Sequence, residues 1–154
     1  MDILIKLAEK EDLQAILEIQ YLAFQKEAKK FNDYNIEPLQ QTIASLEEEF
    51  KIFTFLKALD EHGKIIGSTR GYVKENTSYI GKTVVHPNFQ GHGIGSKLIT
   101  ELEKLNPAHR NEINASIRCP QNIRLYEQLN FKRFKEIKTE NNGFVYLEKS
   151  KKGV

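Results

Sequence analysis

Apolar and polar positions alternate from Ile3 to Ala8, the period of a β-strand. Glu11 and Asp12 follow, acids suited to the positive end of a helix. Leu13, Ile16, Leu17, Tyr21, Phe24, Ala28 and Phe31 then recur at steps of three and four, one stripe of a long amphipathic helix. The polar stretch Asn32-Asp33-Tyr34-Asn35 breaks the stripe. Pro38 is placed to open a second helix, with Leu39, Ile43, Leu46 and Phe50 on its buried face.

After Phe50 the period becomes strand-like. Ile52 to Leu59 and Lys64 to Val73 read as a hairpin about the turn Asp60-Glu61-His62-Gly63, and Thr77 to Val85 follows the turn-prone Glu75-Asn76. Ile94, Leu98, Ile99, Leu102 and Leu105 mark a third helix that ends at Asn106-Pro107. The remainder predicts a strand over Ile113–Ile117, a short helix over Asn122–Leu129 and a strand over Phe131–Lys138. The turn signal Asn141-Asn142-Gly143 and a last strand over Phe144–Leu147 complete the pattern. Lys149 to Val154 reads as a frayed basic tail. The predicted order, β-α-α-β-β-β-α-β-α-β-β, implies an α/β (α+β) mixed sheet covered by helices.

Composition narrows the class without naming it. A chain of 154 residues, 40% hydrophobic and 29% charged, suits a single domain, 1–154, with one core. The 23 Lys and Arg against 21 Asp and Glu leave +2, too little and too interspersed to predict nucleic-acid or membrane binding. The lone Cys119 excludes an internal disulfide and suits a reducing compartment. With no basic-then-apolar leader and no apolar stretch of bilayer length, the expectation is a cytoplasmic protein. No His/Cys/Asp/Glu spacing suggests a metal site.

The strand ending at Val84-Val85 runs through His86-Pro87-Asn88-Phe89 into Gln90-Gly91-His92-Gly93-Ile94-Gly95 and a helix. A glycine-rich turn at a helix start is a phosphate cradle: the first-turn N–H groups have no intrahelical partners, and glycines let an anion approach them. A P-loop would need a second glycine where Ser96 stands. The dinucleotide fingerprint fails too, with Ser96 or Leu98 at its last position. A plain loop before a helix is the blander reading.

Gln90, Gly93 and Gly95 do fill the pattern Q/R-x-x-G-x-G/A, and the run resembles the acetyl-CoA motif of the GNAT superfamily of N-acetyltransferases. Asn122-Ile123-Arg124-Leu125-Tyr126-Glu127-Gln128-Leu129-Asn130-Phe131 is similar to that family's N…LYEKLGF segment. Asn130 stands where glycine is usual, at a helix C-cap where Asn also adopts a left-handed conformation. The inferred element order is the GNAT order as well.

The resemblance implies a sheet splayed between its fourth and fifth strands, around Val85 and Ala115, to admit acetyl-CoA as co-substrate. It implies that Thr83, Val84 and Val85 pair with the pantetheine arm. The backbone of Gln90, Gly91, His92, Gly93, Ile94, Gly95 and Ser96 would hold the pyrophosphate, and Asn122 would add a side-chain hydrogen bond. It implies an amine acceptor attacking the thioester directly, with Tyr126 protonating the leaving sulfur. A phenol of ordinary pKa about 10 holds its proton at neutral pH. Family members often dimerise.

The general base stays open. The fourth strand, Ser78-Tyr79-Ile80-Gly81-Lys82-Thr83, carries no carboxylate. Glu27 on the first helix, Glu75, His86 and a water chain are the alternatives. Glu27, Asp33 and Glu37 read either as a solvated charged face or as attraction for a cationic amine. Cys119 reads as a buried structural thiol. An acyl-CoA-binding sensor that has lost catalysis is the rival to an enzyme acting on a primary amine of a small molecule or peptide.

Overall fold

The computed structural model of the chain describes residues 2–150. Its seven strands are β1 Leu4–Leu7, β2 Thr54–Leu59, β3 Ile65–Lys74, β4 Thr77–Val85, β5 Arg110–Ser116, β6 Lys132–Lys138 and β7 Gly143–Ser150. They form one mixed sheet in the order β1-β2-β3-β4-β5-β7-β6. Every neighbouring pair is antiparallel except β4 and β5, which are parallel. The helices are α1 Leu13–Phe31, α2 Glu37–Gln40, α3 Ile43–Phe50, α4 Ile94–Leu105 and α5 Pro120–Gln128.

Successive strand residues face opposite sides of the sheet, and Phe55 and Leu56 show what each side holds. Phe55 joins Leu13, Ile16, Leu17 and Leu46 in a core beneath α1 and α3. Leu56 joins Ile80, Leu98, Ile99, Leu102, Ile113 and Leu147 in the larger core beneath α4 and α5. Two glycines set how closely α4 can approach. A Cβ on Gly67 would sit 3.3 Å from both Ile94 Cγ2 and Leu98 Cδ1. One on Gly71 would sit 2.5 Å from the Tyr79 carbonyl oxygen and 3.1 Å from Leu102 Cδ2.

The predicted helix from Pro38 to Phe50 is two helices. Gln41 is extended (φ −64°, ψ 135°), and Thr42 caps α3 by accepting the Ser45 N–H at 3.1 Å. The break delivers the Gln41 side chain to a buried guanidinium. Arg70, 2% exposed, donates to Glu49 Oε1 at 2.7 Å, to Gln41 Oε1 at 2.8 Å and to Gln20 Oε1 at 3.0 Å. Pro38 occupies the second helical position rather than the first. The predicted tail also begins too early. Lys149 pairs with Asn111 in the sheet, and its ammonium donates to the Leu129 carbonyl at 2.9 Å. Residues 151–154 lie outside the described residues.

β4 and β5 pair over only three positions, Thr77–Tyr79 against Arg110–Glu112, and then diverge. β4 is also bulged, since Thr69 faces Thr83 whereas Gly71 faces Ile80. The divergence leaves the upper halves of both strands unpaired to each other. That wedge is the gap that shapes the site.

Candidate active site

The wedge opens into a cleft of about 730 Å³. Its walls come from four places: the inner face of α1, the end of β4, the glycine-rich turn into α4, and α5 with the loop before it. Thr83, Val84, Val85, Gln90, Gly91, Gly93, Ile94, Gly95, Ser96, Asn122, Tyr126 and Glu27 all line it. His92 is exposed and its side chain stays outside.

The turn is built to leave its donors free. Gln90 donates from Nε2 to the Val85 carbonyl at 3.2 Å, tying the turn back to β4. Gly91 and Gly93 hold φ of +83° and +76°, the left-handed region that glycine adopts without strain, and Gly93 is the N-cap of α4. The first return bond of α4 is Lys97 N–H to the Gly93 carbonyl at 3.1 Å. Among the described residues, no backbone N–H from Gln90 to Ser96 donates to another protein group. A helix start with this many free donors is an anion seat.

Tyr126 is fixed from behind. α5 closes with Asn130 at φ +74°; the Phe131 N–H donates to the Tyr126 carbonyl at 3.1 Å, and the Asn130 N–H to the Glu127 carbonyl at 3.0 Å. This is the Schellman arrangement, and its usual apolar contact is present as an edge-on pair of the Tyr126 and Phe131 rings at 6.5 Å. The Tyr126 side chain is buried, and its hydroxyl has no hydrogen-bond partner among the described residues. Burial, with a smaller contribution from Cys119, pushes the phenol pKa well up.

Opposite Tyr126, α1 brings Glu27 into the cleft. Glu27 Oε1 accepts the Cys119 thiol at 3.1 Å, and Oε2 lies 3.9 Å from Arg118 Nη1. The same nitrogen donates to Asp33 Oδ2 at 3.0 Å, while Nη2 donates to the Asn141 carbonyl at 2.6 Å. A second Schellman closure, with Asn32 at φ +48° and Asp33 N–H on the Ala28 carbonyl at 2.9 Å, sets Asp33 there. Burial and the neighbouring Glu27 push the Cys119 thiol up to about 12, so it stays protonated and donates.

A model of the acetyltransferase (GNAT) family matches residues 11–131. The chain belongs to the GNAT acetyltransferase family. Solved GNAT structures share its fold at low identity. The PaiA N-acetyltransferase of Thermoplasma acidophilum, in complex with coenzyme A, superposes with a TM-score of 0.80 at 17% identity, over 98% of this chain and 100% of that one. A phosphinothricin acetyltransferase of Sinorhizobium meliloti with acetyl-CoA gives 0.76 at 21%, over 100% and 96%. The spermidine N-acetyltransferase of Vibrio cholerae, with CoA and spermine, gives 0.74 at 15%, over 96% and 95%. Among curated protein sequences there is no significant match.

Within this GNAT fold the candidate bases separate by position. Glu75 sits at φ +50° in the β3–β4 turn and does not line the cleft. His86 Nδ1 accepts the Asn88 N–H at 3.1 Å and caps a 3₁₀ turn, Pro87–Phe89. Among the described residues, Glu27 is the one carboxylate lining the cleft. Glu27 is buried rather than solvated, whereas Asp33 pairs with Arg118 and Glu37 pairs with Lys82 at 2.7 Å on a side chain that stays largely exposed. Arg118, Lys26 and Lys30 line the cleft without having been singled out in the sequence. For the lysines there was a signal, since both lie within one turn of Glu27 on α1. For Arg118, joined to partners 85 and 91 residues away, there was none.

Among the described residues, no cluster of three His, Cys, Asp or Glu could hold a metal, and no helix is long and apolar enough to cross a membrane.

Proposed function

We propose that this GNAT protein transfers the acetyl group of acetyl-CoA to a primary amine by direct attack. The run of free N–H groups at the head of α4, opening onto the wedge between β4 and β5, carries the reading. The residues fit such a donor. Gln90 to Ser96 would seat the pyrophosphate, the upper end of β4 at Thr83–Val85 has no β5 partner to displace, and Asn122 has a side-chain amide free in the cleft.

Acetyl-CoA supplies the acyl group as a thioester. The amine nitrogen bonds to the acyl carbon, the carbon–sulfur bond breaks, and the sulfur leaves with the electron pair. Tyr126, protonated at every physiological pH and unpartnered at its hydroxyl, is the group that gives that sulfur a proton. Glu27 is the cleft carboxylate able to take the proton the amine must shed. Cys119 and Arg118 touch its two oxygens and orient it in the cleft.

Steady-state acetylation of an amine panel by wild type and Tyr126→Phe tests this. The expected result is turnover that falls by about 10²-fold or more in the variant, with acetyl-CoA affinity unchanged. Tight acetyl-CoA binding with no turnover on any amine would instead make the protein an acyl-CoA sensor.

A further inference from the structure

The cleft has two ends of different character. α4 and the glycine-rich turn lie on one face of the sheet and α1 on the other, so the opening between β4 and β5 leads from a donor end to an end walled by α1. At the α1 end, Lys26 and Lys30 stand one helical turn apart, both exposed and both lining the cleft. Neither has a carboxylate partner among the described residues; Lys30 lies only over its neighbour's ring, 5.5 Å from the Phe31 centroid.

The acids that would balance them are spent elsewhere. Asp33 is on Arg118, Glu37 is on Lys82, and Glu27 is held between the Cys119 thiol and Arg118. A di- or tricationic acceptor entering here would meet two free ammonium groups and one carboxylate already engaged. An acceptor with an anionic group beyond its amine would meet complementary charge. The same lysines favour the neutral amine, the form that attacks, and so reduce what is asked of a base.

Resting on the acetyltransferase reading, we infer that the acceptor is an amine bearing an anionic group, a carboxylate or phosphate, which Lys26 and Lys30 receive at the α1 end of the cleft. Polyamines are not its substrates.

The test is binding of acetylated ligands by calorimetry, which needs no turnover. The probes are N-acetyl-L-glutamate, N-acetyl-O-phosphoethanolamine and N¹-acetylspermidine, each titrated into protein with and without coenzyme A. One or both anions bind, and the better of the two identifies carboxylate or phosphate. The polyamine product does not bind. In K26E/K30E the anion Kd rises by about tenfold or more, while coenzyme A still binds as in wild type. Preference for the acetylspermidine, binding of none of the three, or anion binding untouched by the double substitution overturns the inference. Failure of coenzyme A alone to bind would instead remove the donor reading, and the anion comparison would stand on the free protein.

Discussion

Gly95 allows the donor seat to be separated from the stability of the fold. It is the second residue of α4, and a Cβ there would meet Leu125 Cδ2 at 3.7 Å and Thr83 Cγ2 at 3.9 Å, ordinary contact distances. Nothing in the protein must move to admit it. Alanine is a better helix former than glycine by about 0.8–1.0 kcal/mol in a helix interior. Near the start of α4 about half of that is expected, which for a chain of this size raises Tm by about 1–2 °C. Both of the methyl's neighbours line the cleft, however, so it fills space beside the free N–H groups of Gly95 and Ser96. Crowding of this kind costs about 1–3 kcal/mol, a loss of about 5- to 150-fold in acetyl-CoA affinity. Differential scanning fluorimetry and calorimetric titration of Gly95→Ala measure both quantities. Equal or higher Tm with weakened binding is the expected pair. Unchanged affinity would show that the donor does not pass Gly95, and a Tm several degrees lower would contradict the room found around it. Gly93→Ala should behave in the opposite way on stability, because φ +76° costs a residue with a Cβ about 1–2 kcal/mol.

Arg70→Met should lose about 3–5 kcal/mol in urea unfolding, since it strands Glu49, Gln41 and Gln20 in the interface of α1 and α3 with the sheet. A loss under 1 kcal/mol would mean that the network contributes little. Alkaline stability should follow Cys119 and Tyr126. Both groups have folded-state pKa values raised by burial, so their contribution is complete below the unfolded thiol pKa of 9.0 and is lost as pH rises towards about 12. Wild-type Tm should therefore fall from pH 9 to 11 more steeply than that of Cys119→Ala; parallel curves would contradict the assignment.

What the sequence discloses here is mostly local. The α1 stripe, the hairpins and the glycine-rich turn follow from periods and turn residues that act over a few positions. Asn130 could be read as a left-handed cap because the requirement lies in its own backbone. The break at Gln41–Thr42 was not legible, because it serves a guanidinium on β3 that arrives only with the tertiary fold. A polar signal was nevertheless present: Gln20 and Glu27 fall on the apolar stripe of α1 seven residues apart, and each turns out to be buried against a distant partner, Arg70 and Cys119. Gly67 and Gly71 look like ordinary strand residues until α4 is laid across them. The charge of the acceptor end depends on which acids are already engaged, and those pairings join residues far apart in the chain.

The central claim, that acetyl-CoA is held by the turn before α4 at the mouth of the β4–β5 wedge, is tested most directly by amide NMR during titration with acetyl-CoA. The glycines serve as reporters. The N–H resonances of Gly91, Gly93 and Gly95 should move strongly on binding, while that of Gly63, in the β2–β3 turn, should stay in place. Binding that leaves the three turn glycines unmoved would contradict the account.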